Sequence, residues 1–379
     1  MNTFRQHIGK ILGVSGFTTI YLNKHKIYDL TTNNILNKVD PELAHSIIKN
    51  FMSNNLYFKY PSYKSSLLTS HVFDKEFKNP IGLAAGFDKD ADMIHAMSDM
   101  GFGFIEVGTV LKNPNPGNKL PRIFKNSDNQ NIVNNMGLNS KGIEYVSKNL
   151  NKRSKNHIIG VNIGQNHNSL DPIKDYSEIL EKIDDYADYI VLNISCPNTS
   201  TFDKYKKINF LSEIIKHTKK KSNKPILLKI SPDINYYLLC NIVNLSLSNN
   251  INGIIVSNTL KTENGGLSGK AIESMSSELI KTVYKLSNGQ IPIIGCGGVF
   301  SGDDAYRKIK NGASLIQIYT SFIYNGPKVI YDINKELDEL LLKDGYSNIS
   351  QCVGTDVNLE YSYTDLFNDY YNYLISYWK

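Results

Sequence analysis

The chain has 379 residues, of which 41% are hydrophobic and 21% are charged, which is typical of a folded enzyme and not of a disordered chain. This length is too great for one small core and suits one large α/β barrel with additions. The net charge of +6 comes without a long run of Lys and Arg, so no nucleic-acid partner is predicted. No Cys-x-x-Cys pair occurs, so no metal site is predicted, and scattered thiols are typical of a reducing compartment. The cysteines are Cys196, Cys240, Cys296 and Cys352.

The first 28 residues contain basic side chains but no acidic ones. Asp29 is the first acid of the chain, and the cations before it are Arg5, Lys10, Lys24 and Lys26. The mildly apolar run at 11–22 is too short and too polar for a confident membrane span, which needs about 20 apolar residues. We therefore expect residues 1–28 to be a mitochondrial targeting segment, a marginal membrane anchor, or both. A frayed, disordered N-terminus is the alternative.

Residues 29–70 are predicted to form a helical region. Asp40 is a suitable helix N-cap, and Pro41 suits the first helical position. Apolar residues then recur at helical spacing, at Leu43, Ile47, Ile48, Phe51 and Met52. Such a helix can cover a soluble domain or lie on a membrane surface, and the pattern alone leaves both open.

Residues 71–355 contain eight short apolar runs separated by helix-like stretches. The runs are at 81–85, 104–107, 158–162, 189–193, 226–230, 253–256, 291–294 and 314–319. Continuous apolar runs that alternate with helices indicate buried parallel strands. Eight such units predict an α/β fold of the (β/α)₈ TIM-barrel type, with a doubly wound open sheet as the alternative.

Nearly every run ends in polar or glycine-rich residues, as at Asn193, Lys229 and Ser257. They mark the C-terminal ends of the strands, where barrels of this kind form their active sites. The Asn-, Pro- and Gly-rich stretch 111–139 is too long for a minimal βα loop, so we expect it to cover the rim. Residues 356–379 are a Tyr-rich tail, interpreted as a short docking helix without an assigned function.

A glycine pair after the seventh run predicts a phosphate site. Gly297 and Gly298 would let backbone N–H groups approach a phosphate closely, and a following helix N-terminus would add a favourable dipole. Tyr319 and Thr320, at the end of the eighth run, lie where barrels often complete such a site. The phosphate could belong to a flavin or to a substrate, and glycine turns without a ligand are also common.

Two lysines are expected inside the rim. Lys229 lies within the fifth run between apolar neighbours, and Lys89 follows the first run. A buried ammonium needs an anionic partner because its desolvation is costly. The predicted partner is a reduced flavin ring or a substrate carboxylate, and a structural salt bridge is the alternative for each lysine.

The segment 193–199, after the fourth run, places a thiol between asparagines. Asn side chains offer both donors and acceptors to a substrate ring with N–H and C=O edges. Cys196 is predicted to act as a general base, with its pKa brought near neutrality by neighbouring cations or peptide dipoles. The alternative is a small buried apolar residue, which is the more common role of cysteine.

Nine motifs between Pro80 and Gly354 resemble those of dihydroorotate dehydrogenases and occur in the same order. They are IGLAAGFDKD, FIEVGTV, NNMGLNSKG, GVNIGQN, NISCPNT, SNTL, GGLSGK, PIIGCGGV and GASLIQIYT. The helical region ahead of them, with DPELAH at 40–45, resembles the membrane-associated, quinone-using class 2 branch. The resemblance implies FMN as cofactor, dihydroorotate as substrate, a quinone as electron acceptor and a membrane surface as partner. The acid-free, basic N-terminus adds the mitochondrial inner membrane as the expected location.

The resemblance also implies the site residues. Those that match FMN contacts are Ala85, Gly86, Lys89, Thr109, Asn162, Asn193, Lys229, Ser257, Gly269, Gly298, Tyr319 and Thr320. Those that match the substrate site are Lys89, Asn134, Met136, Gly137, Leu138, Asn193, Asn198, Asn258 and Thr259. The quinone tunnel is expected at His45, Lys125 and Tyr319. On this basis Cys196 removes the C5 proton of dihydroorotate, C6 delivers hydride to flavin N5, and Lys229 stabilises the resulting negative charge.

Three positions depart from the family's pattern. Class 2 enzymes usually carry Ser where this chain has Cys196, which is the residue of the soluble class 1 enzymes. Residues 200–203 are STFD where the family usually has PGLR, in the loop that normally helps to close the site in that family. Lys125 stands where Arg is usual, which bears on quinone affinity.

Other functions remain as alternatives at this stage. A soluble class 1 enzyme that uses fumarate agrees with Cys196, although the helical region ahead of the barrel argues against it. An FMN-dependent tRNA dihydrouridine synthase would need a basic RNA-binding domain, and none is visible. A catalytically silent, membrane-docking FMN protein would have no need for Lys89, Cys196 and Lys229 together.

Overall fold

The computed structural model describes residues 38–194 and 208–360, together with residues 362, 364, 367, 368 and 371. The predicted targeting or anchor segment 1–28 and most of the Tyr-rich tail lie outside the described residues, so the interpretations of both stay predictions.

Helices and strands alternate along most of the described chain. The helices are α1 (Pro41–Ser53), α2 (Ile94–Asp99), α3 (Ile143–Leu150), α4 (Pro172–Ile183), α5 (Ile208–Lys221), α6 (Tyr236–Ser248), α7 (Glu273–Leu286), α8 (Gly302–Lys310), α9 (Thr320–Asn325) and α10 (Lys328–Lys343). The strands are β1 (Ser70–Val72), β2 (Lys75–Phe77), β3 (Ile81–Leu83), β4 (Phe104–Val110), β5 (Ile123–Asn126), β6 (Asn131–Asn134), β7 (Ile159–Ile163), β8 (Tyr189–Asn193), β9 (Ile226–Ile230), β10 (Gly253–Val256), β11 (Leu260–Thr262), β12 (Gly265–Gly269), β13 (Ile293–Cys296) and β14 (Ala313–Ile318). Short 3₁₀ helices span Ser66–Leu68, Lys270–Ile272 and Ile349–Cys352.

Eight of these strands form a closed parallel barrel. Their order is β3, β4, β7, β8, β9, β10, β13 and β14, and β14 pairs again with β3 through Gln317 and Gly82. Each strand overlaps one of the eight predicted runs, with ends that agree within three residues. The predicted (β/α)₈ barrel is confirmed, and the open-sheet alternative is wrong because the last strand closes onto the first.

The barrel interior changes from apolar to charged toward the C-terminal ends of the strands. Phe104 on β4 and Leu227 on β9 belong to an apolar cluster inside the barrel. Side chains two residues apart in a strand point to the same side. The next inward positions on these strands are Glu106 and Lys229, and both are buried. The two-residue period therefore places two charges directly above the apolar core, on the side of the rim.

The β1–β2 hairpin and its turn pack against the aromatic part of this interior. The Phe77 ring meets the Phe104 ring edge-on at 5.4 Å, and Phe73 lies 6.1 Å from Tyr189. These rings cover the N-terminal end of the barrel with apolar surface.

The long stretch 111–139 forms a hairpin at the opposite end. Its strands β5 and β6 join β12 and β11 in a four-stranded antiparallel sheet. The pairing of Val133 with Leu267 and of Asn134 with Gly266 links it to the segment after β10. As expected, this stretch covers the rim, and it does so as a regular sheet.

Helix α1 begins where the sequence predicts. The Asp40 carboxylate accepts hydrogen bonds from the backbone N–H groups of Glu42 and Leu43, at 3.0 and 2.9 Å, and Pro41 is in the first turn. Beyond α1, residues 54–69 contain the 3₁₀ helix Ser66–Leu68 and otherwise form turns or irregular chain, so the predicted helical region is helical only in part. Within the described ranges, none of the helices has the length and apolar character needed to cross a membrane.

Candidate active site

A cavity of about 530 Å³ lies at the C-terminal rim of the barrel. Its floor includes the strand-end side chains of Asn193, Lys229 and Ser257, and strands β5, β6 and β12 contribute to its cover. Helix α1 adds an apolar wall that includes Ile48 and Phe51. A mostly apolar cavity of this size with a few polar groups is typical of a small-molecule or cofactor site.

Most of the residues predicted for the three sites line this one cavity. From the predicted cofactor set these are Ala85, Gly86, Lys89, Thr109, Asn193, Lys229, Ser257, Gly269, Gly298, Tyr319 and Thr320. From the predicted substrate set they are Lys89, Asn134, Met136, Leu138, Asn193, Asn258 and Thr259. From the predicted quinone set they are His45, Lys125 and Tyr319. The fold therefore brings the three sets to a shared space, while the role of each residue stays a prediction.

Two predicted residues do not belong to the cavity wall. Asn162 is fully buried below it and donates Nδ2 to Glu106 Oε1 at 2.8 Å, so it supports a neighbour. Gly137 occupies a turn with φ +69°, where an added Cβ would meet the Asn118 side chain. Gly137 thus serves the backbone of the turn, which agrees with its residue type.

Cys196 and Asn198 fall in the segment 195–207, outside the described residues. The strand that leads to them ends at Asn193, whose Nδ2 donates to Thr109 Oγ1 at 2.9 Å. Thr109 Oγ1 in turn donates to Asn162 Oδ1 at 2.7 Å. The predicted base therefore follows by three residues a side chain that is held at the cavity floor.

A buried ion pair lies in this floor. Lys229 Nζ is 3.6 Å from Glu106 Oε1, and the Glu106 side chain is fully shielded from solvent. Glu106 Oε2 accepts a hydrogen bond from Gln317 Nε2 at 2.6 Å. The salt-bridge alternative for Lys229 is therefore present, although Lys229 also faces the cavity. Glu106 and Gln317 were not predicted from the sequence, yet each is a polar residue inside an apolar run, as Lys229 is.

Glycines at the rim bring bare backbone to the cavity. Gly298 has φ +73°, and a Cβ there would lie 2.3 Å from the Glu273 Cβ. Gly269 has φ +109°, and its Cβ would lie 2.3 Å from the Gln130 carbonyl oxygen. Both positions therefore require glycine. Backbone N–H groups in such turns are suited to a phosphate, which supports the predicted phosphate site.

Lys89 brings a second cation to the cavity. Its Nζ donates to Asn139 Oδ1, and Asn139 also lines the cavity, although no role was predicted for it from the sequence. The neighbouring Asp88 carboxylate accepts hydrogen bonds from the backbone N–H groups of Asp92 and Met93. Burial raises the pKa of Asp88 to about 7, opposed by those two hydrogen bonds. Asp88 thus shapes the loop that carries Lys89.

The cavity wall nearest α1 combines aromatic rings with two basic side chains whose pKa values are lowered. Burial lowers the pKa of His45 to about 4, helped by Lys89 and Lys49, and its ring meets Phe87 edge-on at 5.1 Å. Burial also lowers the pKa of Lys125, whose Nζ lies 4.7 Å from the centre of the Tyr324 ring. This end of the cavity suits an uncharged, largely apolar ligand.

A closed parallel barrel with a buried ion pair below a glycine-lined cavity at its C-terminal rim is the arrangement typical of α/β-barrel enzymes. The sequence model of one family, dihydroorotate dehydrogenase, matches residues 67–341. The chain therefore belongs to the dihydroorotate dehydrogenase family and is an oxidoreductase. The resemblance drawn from the nine motifs is confirmed.

Relatives and solved structures agree with this assignment. The chain is 38% identical over 343 residues to the dihydroorotate dehydrogenase (quinone) of Nautilia profundicola, covering 85% of this chain and 95% of the relative. It is 36% identical over 364 residues to the mitochondrial dihydroorotate dehydrogenase (quinone) of Oryza sativa subsp. japonica, covering 84% and 78%. It superposes on ligand-free DHODH from Eimeria tenella with a TM-score of 0.79 at 32% identity, covering 84% of this chain and 100% of that one.

Proposed function

We propose that this protein is an FMN-dependent dihydroorotate dehydrogenase that oxidises dihydroorotate to orotate, with a quinone as electron acceptor, in pyrimidine biosynthesis. The observation that carries the proposal is that one cavity joins the polar floor at Lys229 to the apolar wall of α1. A polar acid and an apolar acceptor can therefore approach a cofactor held between them. The relatives that are named as quinone enzymes support this choice of acceptor.

The rim residues fit FMN. A cavity of about 530 Å³ is in the usual range for a cofactor site, and the required glycines Gly269 and Gly298 leave space for a phosphate. Thr320, whose Oγ1 donates to Ser268 Oγ at 2.9 Å, would add a hydroxyl there. When bound, FMN supplies an acceptor for the hydride of the substrate. Lys229 would stabilise the negative charge that the flavin gains.

The substrate is an acid whose ring has N–H and C=O edges. The Lys89 ammonium would bind its carboxylate in a charge-assisted hydrogen bond, and Asn139 would hold Lys89 in place. Asn134, Asn193 and Asn258 line the cavity and offer donors and acceptors for the two ring edges, with Thr259 beside them. Met136 and Leu138 would pack against the ring.

Cys196 is proposed as the base that takes the C5 proton. It follows Asn193, and Asn193 lies at the end of β8 on the cavity floor. A thiol is more acidic than the hydroxyl usual in class 2 enzymes, so it needs less help to form the basic thiolate. The proton leaves to Cys196 while the hydride leaves from C6, which accounts for the two electrons of the oxidation.

The quinone is proposed to enter along α1. His45 and Lys125 line that part of the cavity. Burial lowers the pKa of both side chains, and His45, with a pKa of about 4, is neutral at pH 7. On α1, Leu43 and Ile47 are exposed outside the cavity lining, and Phe51 is exposed although it also lines the cavity. An exposed apolar helix face of this kind suits a membrane surface, from which a quinone would be drawn.

The proposed location is the mitochondrial inner membrane. The acid-free, basic segment 1–28 is typical of mitochondrial targeting. The plant relatives from Oryza sativa and Arabidopsis thaliana are named as mitochondrial, whereas the name of the Nautilia profundicola relative gives no such location. Fractionation of cells that produce the tagged chain, followed by salt and carbonate washes of the membranes, tests both the compartment and the attachment.

Anaerobic mixing of the purified yellow protein with dihydroorotate tests the reaction. We expect the flavin absorbance to bleach and then to recover on addition of a soluble quinone, but not of fumarate. Recovery with fumarate alone would favour the class 1 alternative. A flavoprotein that dihydroorotate does not bleach would contradict the proposed function and support the catalytically silent alternative.

A further inference from the structure

We propose that Glu106 is a positioning residue that lowers the reduction potential of the bound flavin by compensating the charge of Lys229. This inference rests on the proposed function, because it requires FMN above the ion pair. It assigns a role to a carboxylate that is buried and does not belong to the cavity lining.

The geometry holds the carboxylate in place. Both oxygens of Glu106 accept an amide N–H, from Asn162 Nδ2 at 2.8 Å and from Gln317 Nε2 at 2.6 Å. Lys229 Nζ approaches Oε1 to 3.6 Å, and neither charged side chain is more than 6% exposed. Asn162 is itself held by a hydrogen bond from Thr109. Four barrel side chains therefore fix this one buried negative charge, namely Asn162, Gln317, Lys229 and Thr109.

The two charges act on the cavity wall in opposite directions. Cys296, at the end of β13, lines the cavity. Burial is the main cause that raises the pKa of its thiol, while Lys229 lowers it and Glu106 raises it. The electrostatic potential of both charges therefore extends to the cavity wall where a flavin ring would lie, and little solvent is present to screen it.

The consequence for a flavin follows from the signs. The ring gains negative charge on reduction, so the Lys229 ammonium favours the reduced form and the Glu106 carboxylate opposes it. With both charges present the floor is close to neutral, and electrons can still leave for a quinone. Without Glu106, the uncompensated ammonium would hold the electrons, so reduction by substrate becomes easier and reoxidation slower.

The test is the midpoint potential of the FMN-loaded enzyme, measured by dye equilibration. Glu106→Gln keeps the shape and an acceptor while it removes the charge. We expect its reduced-to-oxidised ratio to rise at least tenfold at a fixed potential, which corresponds to about 30 mV for a two-electron couple. Lys229→Met should shift the potential downward, and Glu106→Gln/Lys229→Met should return it toward the wild-type value.

A matched control is Asp338→Asn on α10. Asp338 is also a buried carboxylate, and it accepts hydrogen bonds from Tyr63 and Ser65 outside the cavity lining. This variant should leave the midpoint potential unchanged. An equal shift in Asp338→Asn and Glu106→Gln would show a general effect of lost packing and would overturn the proposal.

The outcomes separate this inference from the proposed function. A wild-type protein that takes up no FMN would contradict the proposed function itself. A wild-type protein that is bleached by dihydroorotate, beside a Glu106→Gln variant with an unchanged potential, would overturn the inference alone. If Glu106→Gln loses FMN, then FMN binding is measured in Glu106→Gln/Lys229→Met, which removes both charges together. Loss of FMN from that variant as well would assign Glu106 to the fold and end the proposal.

Discussion

The guanidinium of Arg122 holds the carboxylate of Glu42, and this pair ties helix α1 to the segment that enters β5. Arg122 Nε and Nη2 lie 2.8 and 2.5 Å from Glu42 Oε1, and Nη1 donates to the Pro116 carbonyl oxygen at 2.7 Å. Both side chains are largely shielded from solvent, at 13% and 23% exposure. At the other end of α1, Lys49 binds Asp92 on the loop after β3. The apolar wall of the cavity is thus held by charges at both ends.

Loss of the ion pair between Arg122 and Glu42 should weaken quinone use selectively. Glu42→Gln removes the charge but keeps the side-chain size. We expect the packing of α1 on the barrel to lose roughly 1 kcal/mol of stability, which corresponds to a rise of about fivefold in the KM for quinone. Anaerobic bleaching by dihydroorotate should keep its rate, because that step takes place at the barrel floor. The exposed pair between Lys182 and Glu144 offers a control, since Lys182→Met should change neither half-reaction. Equal losses in both half-reactions would contradict a role confined to the quinone end.

Loss of the Asn139 side chain should weaken dihydroorotate binding through Lys89. Asn139→Ala leaves the ammonium in the cavity but removes the Asn139 Oδ1 acceptor. We expect KM for dihydroorotate to rise by about tenfold, equivalent to one hydrogen bond to a charged group. Lys89→Met should have a larger effect, because it removes the charge that meets the carboxylate. Lys119→Met, on the exposed part of the same loop region, should leave KM unchanged and serves as control.

His45 should make the folded enzyme sensitive to acid. Its pKa is about 4 in the folded protein, against 6.5 for an ordinary histidine, because of burial first and then Lys89 and Lys49. Since the fold prefers the neutral ring, this contribution to stability is complete above pH 6.5 and is lost as the pH falls toward 4. We expect the free energy of unfolding of the wild type to fall across this window by up to about 3 kcal/mol more than that of His45→Leu.

Chemical denaturation of the FMN-loaded protein at a series of pH values measures this difference. His71→Gln provides the control, because His71 is exposed and lies outside the cavity lining. Parallel stability curves for the wild type and His45→Leu would show that His45 titrates alike in the folded and unfolded chain.

Gly298 and Gly345 separate the effect of backbone strain from that of lost space. Both have positive φ, +73° and +80°, but a Cβ at Gly298 would collide with Glu273 whereas nothing lies within 4 Å of one at Gly345. Gly345→Ala should therefore cost only about 1 kcal/mol of unfolding free energy. Gly298→Ala should also displace the rim and weaken FMN retention at least tenfold, measured by fluorescence of released flavin. Equal FMN retention in both variants would remove Gly298 from the proposed phosphate site.

Cys196 can be tested although it lies outside the described residues. Cys196→Ala should keep FMN but lose most of the rate of flavin bleaching, since a base typically contributes about 10²–10⁴-fold. Cys196→Ser should retain measurable turnover, with an optimum at higher pH because a hydroxyl is the weaker acid. Cys240→Ala, a change to a thiol on helix α6, is the matched control. A Cys196→Ala enzyme that bleaches at the wild-type rate would exclude this thiol as the base.

Much of the barrel could be predicted because its signals are local. Each strand is a short apolar run between turns, and Asp40 and Pro41 indicate the start of α1. Polar residues at strand ends had to meet at one rim once the strands were parallel, so Asn193, Lys229 and Ser257 could be placed together from the chain alone.

The residues that surround them could not be assigned in the same way. Gln317 and Glu106 are each one polar residue in an apolar run. Only the hydrogen bond between them, across 211 positions of sequence, shows that Gln317 belongs to the environment of the buried Glu106 carboxylate. The same holds for Asn139, which becomes informative only beside Lys89.

By itself, the sequence determined the eight strands, the helix start and the residue types at the rim, because these depend on periodicity and on neighbours along the chain. The tertiary structure alone decided which buried charges face each other. Pairing between Lys229 and Glu106, or between Arg122 and Glu42, depends on barrel closure and on how α1 packs, which bring together atoms that no local pattern relates.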